Sequence, residues 1–269
     1  MGDVARLRRC LAGYGRVVVA FSGGVDSGLL AWVAHQELGR DRALAATAVS
    51  ASLAPSELEG CRHLAASWGL NWLPLTTAEL DRPAYAANGA DRCYHCKAEL
   101  MDQLAPVAAA AGARVALGVN VDDLGEYRPG QRAAAQRGAV FPLVEAGFTK
   151  ADVRATAREM GLEVWEKPAA PCLASRVPHG TPVTVSTLTR VAAAEEGLKA
   201  LGFDELRVRH YGELARIEVP ERRLGDVLEH RADVVDAVQA AGYRYATLDL
   251  EGLRSGNLSP GRGSGGSGT

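Results

Sequence analysis

Through the first two-thirds of the chain, short apolar, β-branched runs alternate with longer stretches whose apolar residues recur at helical spacing. Residues 17–21, 43–49, 71–75, 114–119 and 162–167 carry the strand pattern, and Ala- and Leu-rich helical stretches lie between them. That alternation predicts a doubly wound parallel sheet with helices on both faces, an α/β fold in which ligands bind beyond the carboxyl ends of the strands. After about residue 180 the rhythm changes. Residues 187–201 put Val191, Ala194, Leu198 and Leu201 on one helical face; 206–208 and 215–219 read as a hairpin around Tyr211-Gly212-Glu213; 221–241 reads as a helix and 243–248 as a last strand. The pattern therefore divides the chain into an α/β domain at 1–178, a smaller α+β domain at 179–258 and a Gly/Ser-rich tail at 259–269, expected to be disordered.

The most informative join is Ser22-Gly23-Gly24-Val25-Asp26-Ser27, between the first strand run and a helical run. A Gly-rich turn feeding a helix N-terminus turns unpaired amides and the helix dipole toward one point, which favours an anion. Gly23 and Gly24 let the main chain approach phosphates, Ser22 and Ser27 bring hydroxyls, and Asp26 suits Mg²⁺. A Walker A loop would end in Gly-Lys-Ser/Thr, and this one does not. The pattern instead resembles the SGGxDS loop of the ATP pyrophosphatases; the plain alternative is a strand-to-helix turn whose glycines serve geometry alone. Asn120, Asp122 and Asp123, after the fourth run, suit ribose, Mg²⁺ or substrate, or else cap the next element.

Composition narrows the chemistry. With 269 residues, 47% hydrophobic and 23% charged, the chain resembles an average soluble protein, and no apolar run approaches the ~20 residues of a membrane span. The charged start of the chain has no apolar signal region, which predicts a cytoplasmic protein. A net charge of −2 argues against broad nucleic-acid binding. Five cysteines, an odd count, point to metal or sulfur chemistry rather than a disulfide frame. Cys10 and Cys61 fall on helical segments and read as inert thiols. Cys93-Tyr94-His95-Cys96 is a C-x-x-C pair, and Cys172 is expected past the fifth strand, on the ligand side of the sheet. Three thiolates would leave one iron of a 4Fe–4S cluster open for an added sulfide. Zinc with His95 or water, a redox pair, or Cys172 acting alone as nucleophile or sulfur donor are the alternatives.

Beyond the loop, Gly118-Val119-Asn120-Val121-Asp122-Asp123 with Tyr127-Arg128-Pro129-Gly130, Pro171-Cys172-Leu173-Ala174-Ser175-Arg176, and Arg207-Val208-Arg209 resemble the LarE family, ATP-dependent sulfur transferases of nickel-pincer nucleotide biosynthesis. The resemblance covers nearly the whole chain up to the tail. It implies a PP-loop pyrophosphatase domain followed by a small substrate and sulfur-transfer domain. ATP would adenylylate a carboxylate of pyridinium-3,5-biscarboxylic acid mononucleotide with release of pyrophosphate, and sulfur would then displace AMP to leave a thiocarboxylate. In the better-known members the counterpart of Cys172 gives up its own sulfur. Those members lack a pair at Cys93 and Cys96, whereas the branch that has it relays sulfur, from sulfide or another source, through a 4Fe–4S cluster. The cluster route on Cys93, Cys96 and Cys172 is the reading favoured here.

The resemblance also implies individual roles. Arg207 and Arg209, two apart on a strand and so on one face, would hold the substrate phosphate, with a solvated basic face as the plain alternative. Arg176 would steer the acyl-phosphate or the substrate, and Glu196 and Asp226 resemble acidic residues near the sulfur site. Rings are common in the family, so a homo-oligomer is expected. A tRNA thiolase shares the loop and the sulfur chemistry but calls for a basic surface, an amidating synthetase has no use for the cysteines, and a nucleotide sensor would release no pyrophosphate.

Overall fold

The computed structural model describes residues 2–125 and 128–254. Tyr127 of the expected family motif and the Gly/Ser tail lie outside them. The chain divides into two compact units: the first takes the residues up to Tyr85 and Asp91–Pro171, the second Ala86–Ala90 and the chain from Cys172 onward. Among the described residues no helix is long and apolar enough to cross a membrane.

The first unit is built on four parallel strands, β1 (Val17–Ala20), β2 (Ala43–Val49), β3 (Asn71–Thr76) and β4 (Arg114–Leu117), in the order β3-β2-β1-β4. Side chains alternate across a strand, so an unbroken apolar run fits only a sheet covered on both faces. Val17 and Val19 enter a core with Leu29, Leu30, Val33, Phe148 and Val153, while Val18 enters a second one with Leu100, Met101, Leu104 and Leu117. Helices Val4–Tyr14, Val25–Leu38 and Lys150–Glu159 belong to the first face and Arg92–Ala111 to the second. The strand order reverses between β1 and β4, which makes the carboxyl ends of those two strands the switch point of the sheet.

The expected fifth strand is absent. Residues 162–167 instead hold a 3-10 turn, Glu163–Trp165, and what lies beside β4 is a single parallel bridge from Val140 to Ala116. Leu162 and Val164 are buried in the first core, which accounts for their strand-like alternation. The Arg154 guanidinium donates to the carbonyls of Trp165 and, at 3.1 Å, of Lys167, so side-chain donors take the place of a neighbouring strand.

In the second unit β5 (Arg207–Tyr211) and β6 (Leu214–Glu218) form the antiparallel hairpin, and β7 (Tyr245–Leu248) runs parallel to β6. Val208, Ala215 and Ile217 face a core with Ala194, Leu198, Val234 and Val238 from helices Val185–Ala200 and Arg231–Ala240. The helix expected over 221–241 is three pieces, Glu221–Arg223, Leu224–Glu229 and Arg231–Ala240. The break falls at His230, whose Nδ1 lies 2.9 Å from the Asp226 carbonyl and whose ring packs edge-on to Phe203. The bend lets Val227 and Val234 share one core.

The segment Ala86–Ala90 belongs to this unit because of Asn88. Its amide donates to the carbonyls of Val177, Pro178 and Thr181, and its carbonyl accepts the Gly180 N–H.

Candidate active site

The loop after β1 is shaped by its own serines. The Ser27 hydroxyl accepts the Ser22 N–H at 3.1 Å, donates to the Gly24 carbonyl at 3.2 Å and lies 3.0 Å from the Ser22 hydroxyl. Gly23 has φ 68°, and a Cβ there would stand 2.9 Å from the Cys61 sulfur, so conformation and space both demand glycine. Helix Val25–Leu38 begins at Gly24 with no side-chain cap, which leaves its first amides available to an outside acceptor.

The end of β4 presses on this loop. A Cβ on Gly118 would lie 2.7 Å from the Ser27 nitrogen. Two residues on, buried Asn120 donates its amide to Asp26 Oδ1 at 3.0 Å, accepts the Asp122 N–H at 3.0 Å and gives its own N–H to Asp123 at 3.1 Å. Asp26 Oδ2 is paired with the Lys150 ammonium. Asp122 accepts the Lys150 N–H at 2.8 Å, and Asp123 pairs with Arg128 at 3.0 Å. Asn120 and Asp122 thus reach the loop as a connected network, with Asn120 in direct contact and Asp122 acting through Lys150.

Lys150 is a functional candidate that sequence reasoning missed. The available signal is its place just after the Thr149 cap, at the start of a helix, where the dipole disfavours a cation unless a carboxylate is near. On the other side of the loop, Lys167 pairs with Glu57 at 2.7 Å, and its ammonium lies 3.7 Å from where a Cβ on Gly23 would be.

Cys93 and Cys96 are the second and fifth residues of helix Arg92–Ala111, three apart and so on one face, Cys93 exposed and Cys96 half-buried. Helix Pro129–Gln136 packs close by, since a Cβ on Gly130 would stand 3.1 Å from the Cys93 carbonyl. His95 faces Asp91, Nε2 to Oδ2 3.0 Å. Cys172 is not past a fifth sheet strand: it is exposed in the second unit, at the start of the 3-10 turn Leu173–Arg176. Among the described residues no three His, Cys, Asp or Glu side chains are grouped to hold a metal ion. The first unit thus carries Cys93 and Cys96, and Cys172 belongs to the second. Burial pushes the thiols of Cys10 and Cys61 up, away from the reactive thiolate form.

In the second unit Arg209 is buried and already occupied, donating from Nε and Nη2 to Glu218 at 3.0 and 2.8 Å and from Nη1 to the Ser175 carbonyl at 2.9 Å. Arg176 is likewise buried, forked onto Glu195 at 2.8 and 3.1 Å, and Glu195 also accepts the Val208 N–H. Buried cations require such partners. Arg207 is different: it donates to the Arg254 carbonyl, and burial, with repulsion from Arg209 and Arg176, lowers its pKa. An anion beside Arg207 would relieve that repulsion. Glu196 and Asp226, by contrast, form partly exposed pairs with Lys199 and Arg223. The buried acids of this unit, Glu195 and Glu218, were not among the expected site residues; one precedes Glu196 directly and the other faces Arg207 across the hairpin.

No family model matches the chain. It is 45% identical over 255 residues, 94% of this chain and 95% of the relative, to an uncharacterized protein of Synechocystis sp.. It is 41% identical over 244 residues, 90% of this chain and 88% of the relative, to pyridinium-3,5-bisthiocarboxylic acid mononucleotide synthase of Lactiplantibacillus plantarum. An uncharacterized protein of Methanocaldococcus jannaschii is 26% identical over 241 residues, 89% of this chain and 91% of the relative.

Proposed function

Because the chain belongs to the LarE family of sulfur transferases, we propose that it makes a thiocarboxylate on pyridinium-3,5-biscarboxylic acid mononucleotide in two steps, with ATP as the activating substrate. A carboxylate oxygen of the substrate attacks the α-phosphorus of ATP, the bond to the bridging oxygen breaks, and pyrophosphate leaves with the electron pair. The acyl-adenylate carries AMP as a leaving group, where a bare carboxylate would have to expel oxide. Sulfide-level sulfur then adds to the acyl carbon and AMP departs.

The observation that carries this reading is the uncapped helix start behind Gly23 and Gly24, with Asp26 held beside it by Asn120. The loop amides would bind the polyphosphate and Asp26 would hold Mg²⁺, which lowers the charge of the leaving group. Arg207 would take the nucleotide phosphate of the substrate, supported through Arg209, Glu218, Arg176 and Glu195, none of which needs to touch it. Cys93, Cys96 and Cys172 would hold the sulfur-handling centre. A 4Fe–4S cluster on three thiolates offers one iron without a protein ligand, open to a sulfide.

A second reading draws on the exposure of Cys172 and its place on the other unit from the pair: Cys172 donates its own sulfur once and becomes dehydroalanine. One experiment separates the two. Anaerobically reconstituted protein is given ATP, Mg²⁺, sulfide and the substrate, and pyrophosphate, thiocarboxylate and the mass of the Cys172 peptide are followed. Several thiocarboxylates per chain with an intact Cys172 support the relay, and about four iron per chain, lost in Cys93→Ala, should accompany them. At most one thiocarboxylate per chain, with sulfur lost from Cys172, supports sacrifice. Cys172→Ala should release pyrophosphate but form no thiocarboxylate; thiocarboxylate formed by that variant would overturn both routes.

A further inference from the structure

We propose that Lys150 is a catalytic residue that exchanges partners, neutralising Asp26 while the nucleotide site is empty and turning its ammonium to the polyphosphate when a metal ion takes Asp26. The proposal deepens the reading of the Ser22–Ser27 loop as an ATP site and rests on it.

Three observations carry it. The first is that Asp26 does not need Lys150 to hold its orientation, because buried Asn120 already grips the other carboxylate oxygen at 3.0 Å. The lysine supplies charge rather than placement. The second is that the backbone of Lys150 is fixed while its side chain is partly exposed. Its N–H is bound to Asp122 at 2.8 Å, the Val121 N–H holds the Phe148 carbonyl at 2.8 Å, and Thr149 and Asp152 form a reciprocal cap. The Lys150 side chain is nevertheless 40% exposed, against 21% for Asp26, so the lysine is the more accessible partner of the pair. The third is electrostatic. Lys150 begins its own helix, whose dipole repels a cation there, and it stands beside the start of Val25–Leu38, whose amides and dipole attract an anion.

A lysine suits an exchange of this kind, being a compact charge on a flexible stem. Once a divalent ion claims Asp26, the displaced ammonium has an anion within the same small volume. As the bond from the α-phosphorus to the bridging oxygen breaks, that oxygen gains negative charge, and a nearby ammonium stabilises it more than it stabilises intact ATP.

The test uses full-length Lys150→Met, with Lys150→Arg as the charge-preserving control and far-UV circular dichroism plus a melting curve to confirm folding. Two readouts are taken. Substrate-dependent pyrophosphate release should fall about 100-fold in kcat in Lys150→Met. Without nucleotide, Mn²⁺ used as the metal probe should bind Lys150→Met about fivefold more tightly than the unaltered protein, since the competing ammonium is gone. A lysine that did not compete with the metal ion for Asp26 would leave that affinity unchanged, and the fall in kcat separates a catalytic lysine from one that only neutralises the carboxylate. Pyrophosphate release at the original rate in folded Lys150→Met would overturn the catalytic role, and unchanged or weaker Mn²⁺ binding would overturn the exchange. Absence of pyrophosphate release from the unaltered protein would instead sink the ATP reading and the catalytic role with it. The Mn²⁺ shift tells that failure apart from a failure of the exchange.

Discussion

At the scale of single residues, Gly118 shows how little room the site leaves. The three atoms nearest to a Cβ there are all backbone, Ser27 N at 2.7 Å, Asp26 C at 2.8 Å and Ser27 Cα at 2.9 Å, none of which can swing away as a side-chain tip would. Gly118→Ala should cost about 1–3 kcal/mol in urea unfolding and should slow pyrophosphate release by moving Asp26 from Asn120. His210 makes a second prediction, in pH. It is buried, its Nδ1 lies 3.1 Å from the Tyr243 hydroxyl, and the Arg190 guanidinium covers the Tyr243 ring at 4.3 Å. Burial first, then Arg190, lowers its pKa below the ordinary 6.5. Burial likewise raises the Tyr243 phenol to about 12, so the phenol keeps its proton throughout this range. Above the ordinary value the imidazole is neutral folded or unfolded, and stability is undiminished. As pH falls through that value toward the lower folded one, the unfolded chain takes the proton first and stability drops. Urea midpoints between about pH 7.5 and 5.5 should therefore fall less in His210→Gln than in the unaltered protein.

At the scale of elements, caps and breaks decide where side chains arrive. Thr149 and Asp152 cap each other's backbone at the start of Lys150–Glu159, and that cap sets where Lys150 leaves the helix. Thr149→Ala should cost about 1 kcal/mol and loosen the Lys150–Asp26 pair, raising Mn²⁺ affinity in the same direction as Lys150→Met but less. The hairpin β5–β6 works similarly. Its register sets Arg207 opposite Glu218 and Arg209 opposite Arg216, so Glu218 lies where it can accept from Arg209 and, at 2.9 Å, from Arg216. Without that acid, which is fully buried, Arg209 would be left with the Ser175 carbonyl at 2.9 Å and Arg216 with Asp249 at 3.5 Å, and the buried guanidinium would lose its counter-charge.

At the scale of the whole molecule, chain order and spatial order part company at Asn88. This residue has φ 58°, is fully buried, and satisfies three carbonyls of the 177–181 stretch from about ninety positions away. Asn88→Ala should destabilise the second unit by about 2–3 kcal/mol, since buried carbonyls lose their donor and alanine tolerates the left-handed conformation less well. Hydrogen exchange should then quicken in β5 and β6 while β1 and β2 keep their protection. Equal loss of protection in both units would refute the assignment of Asn88 to the second one.

What the sequence by itself determined was local. The alternation of strand and helix runs, the glycine turn before Val25–Leu38, the hairpin at Tyr211-Gly212-Glu213 and the C-x-x-C spacing are all written within a few residues, because periodicity and turn chemistry act at short range, whereas the helix that carries the cysteine pair appears only in the structure. Tertiary structure decided the rest. Residues 162–167 alternate like a strand, yet their apolar members are buried from a 3-10 turn, and period-two burial looks the same either way in sequence. Lys150 meets Asp26 across 124 positions, and Arg176 and Arg209 find Glu195 and Glu218, while Glu196 and Asp226 pair with Lys199 and Arg223. Which of two adjacent acids is buried, and which cation it neutralises, depends on how the second unit packs around them, and a buried charge accepts no other arrangement than a paired one.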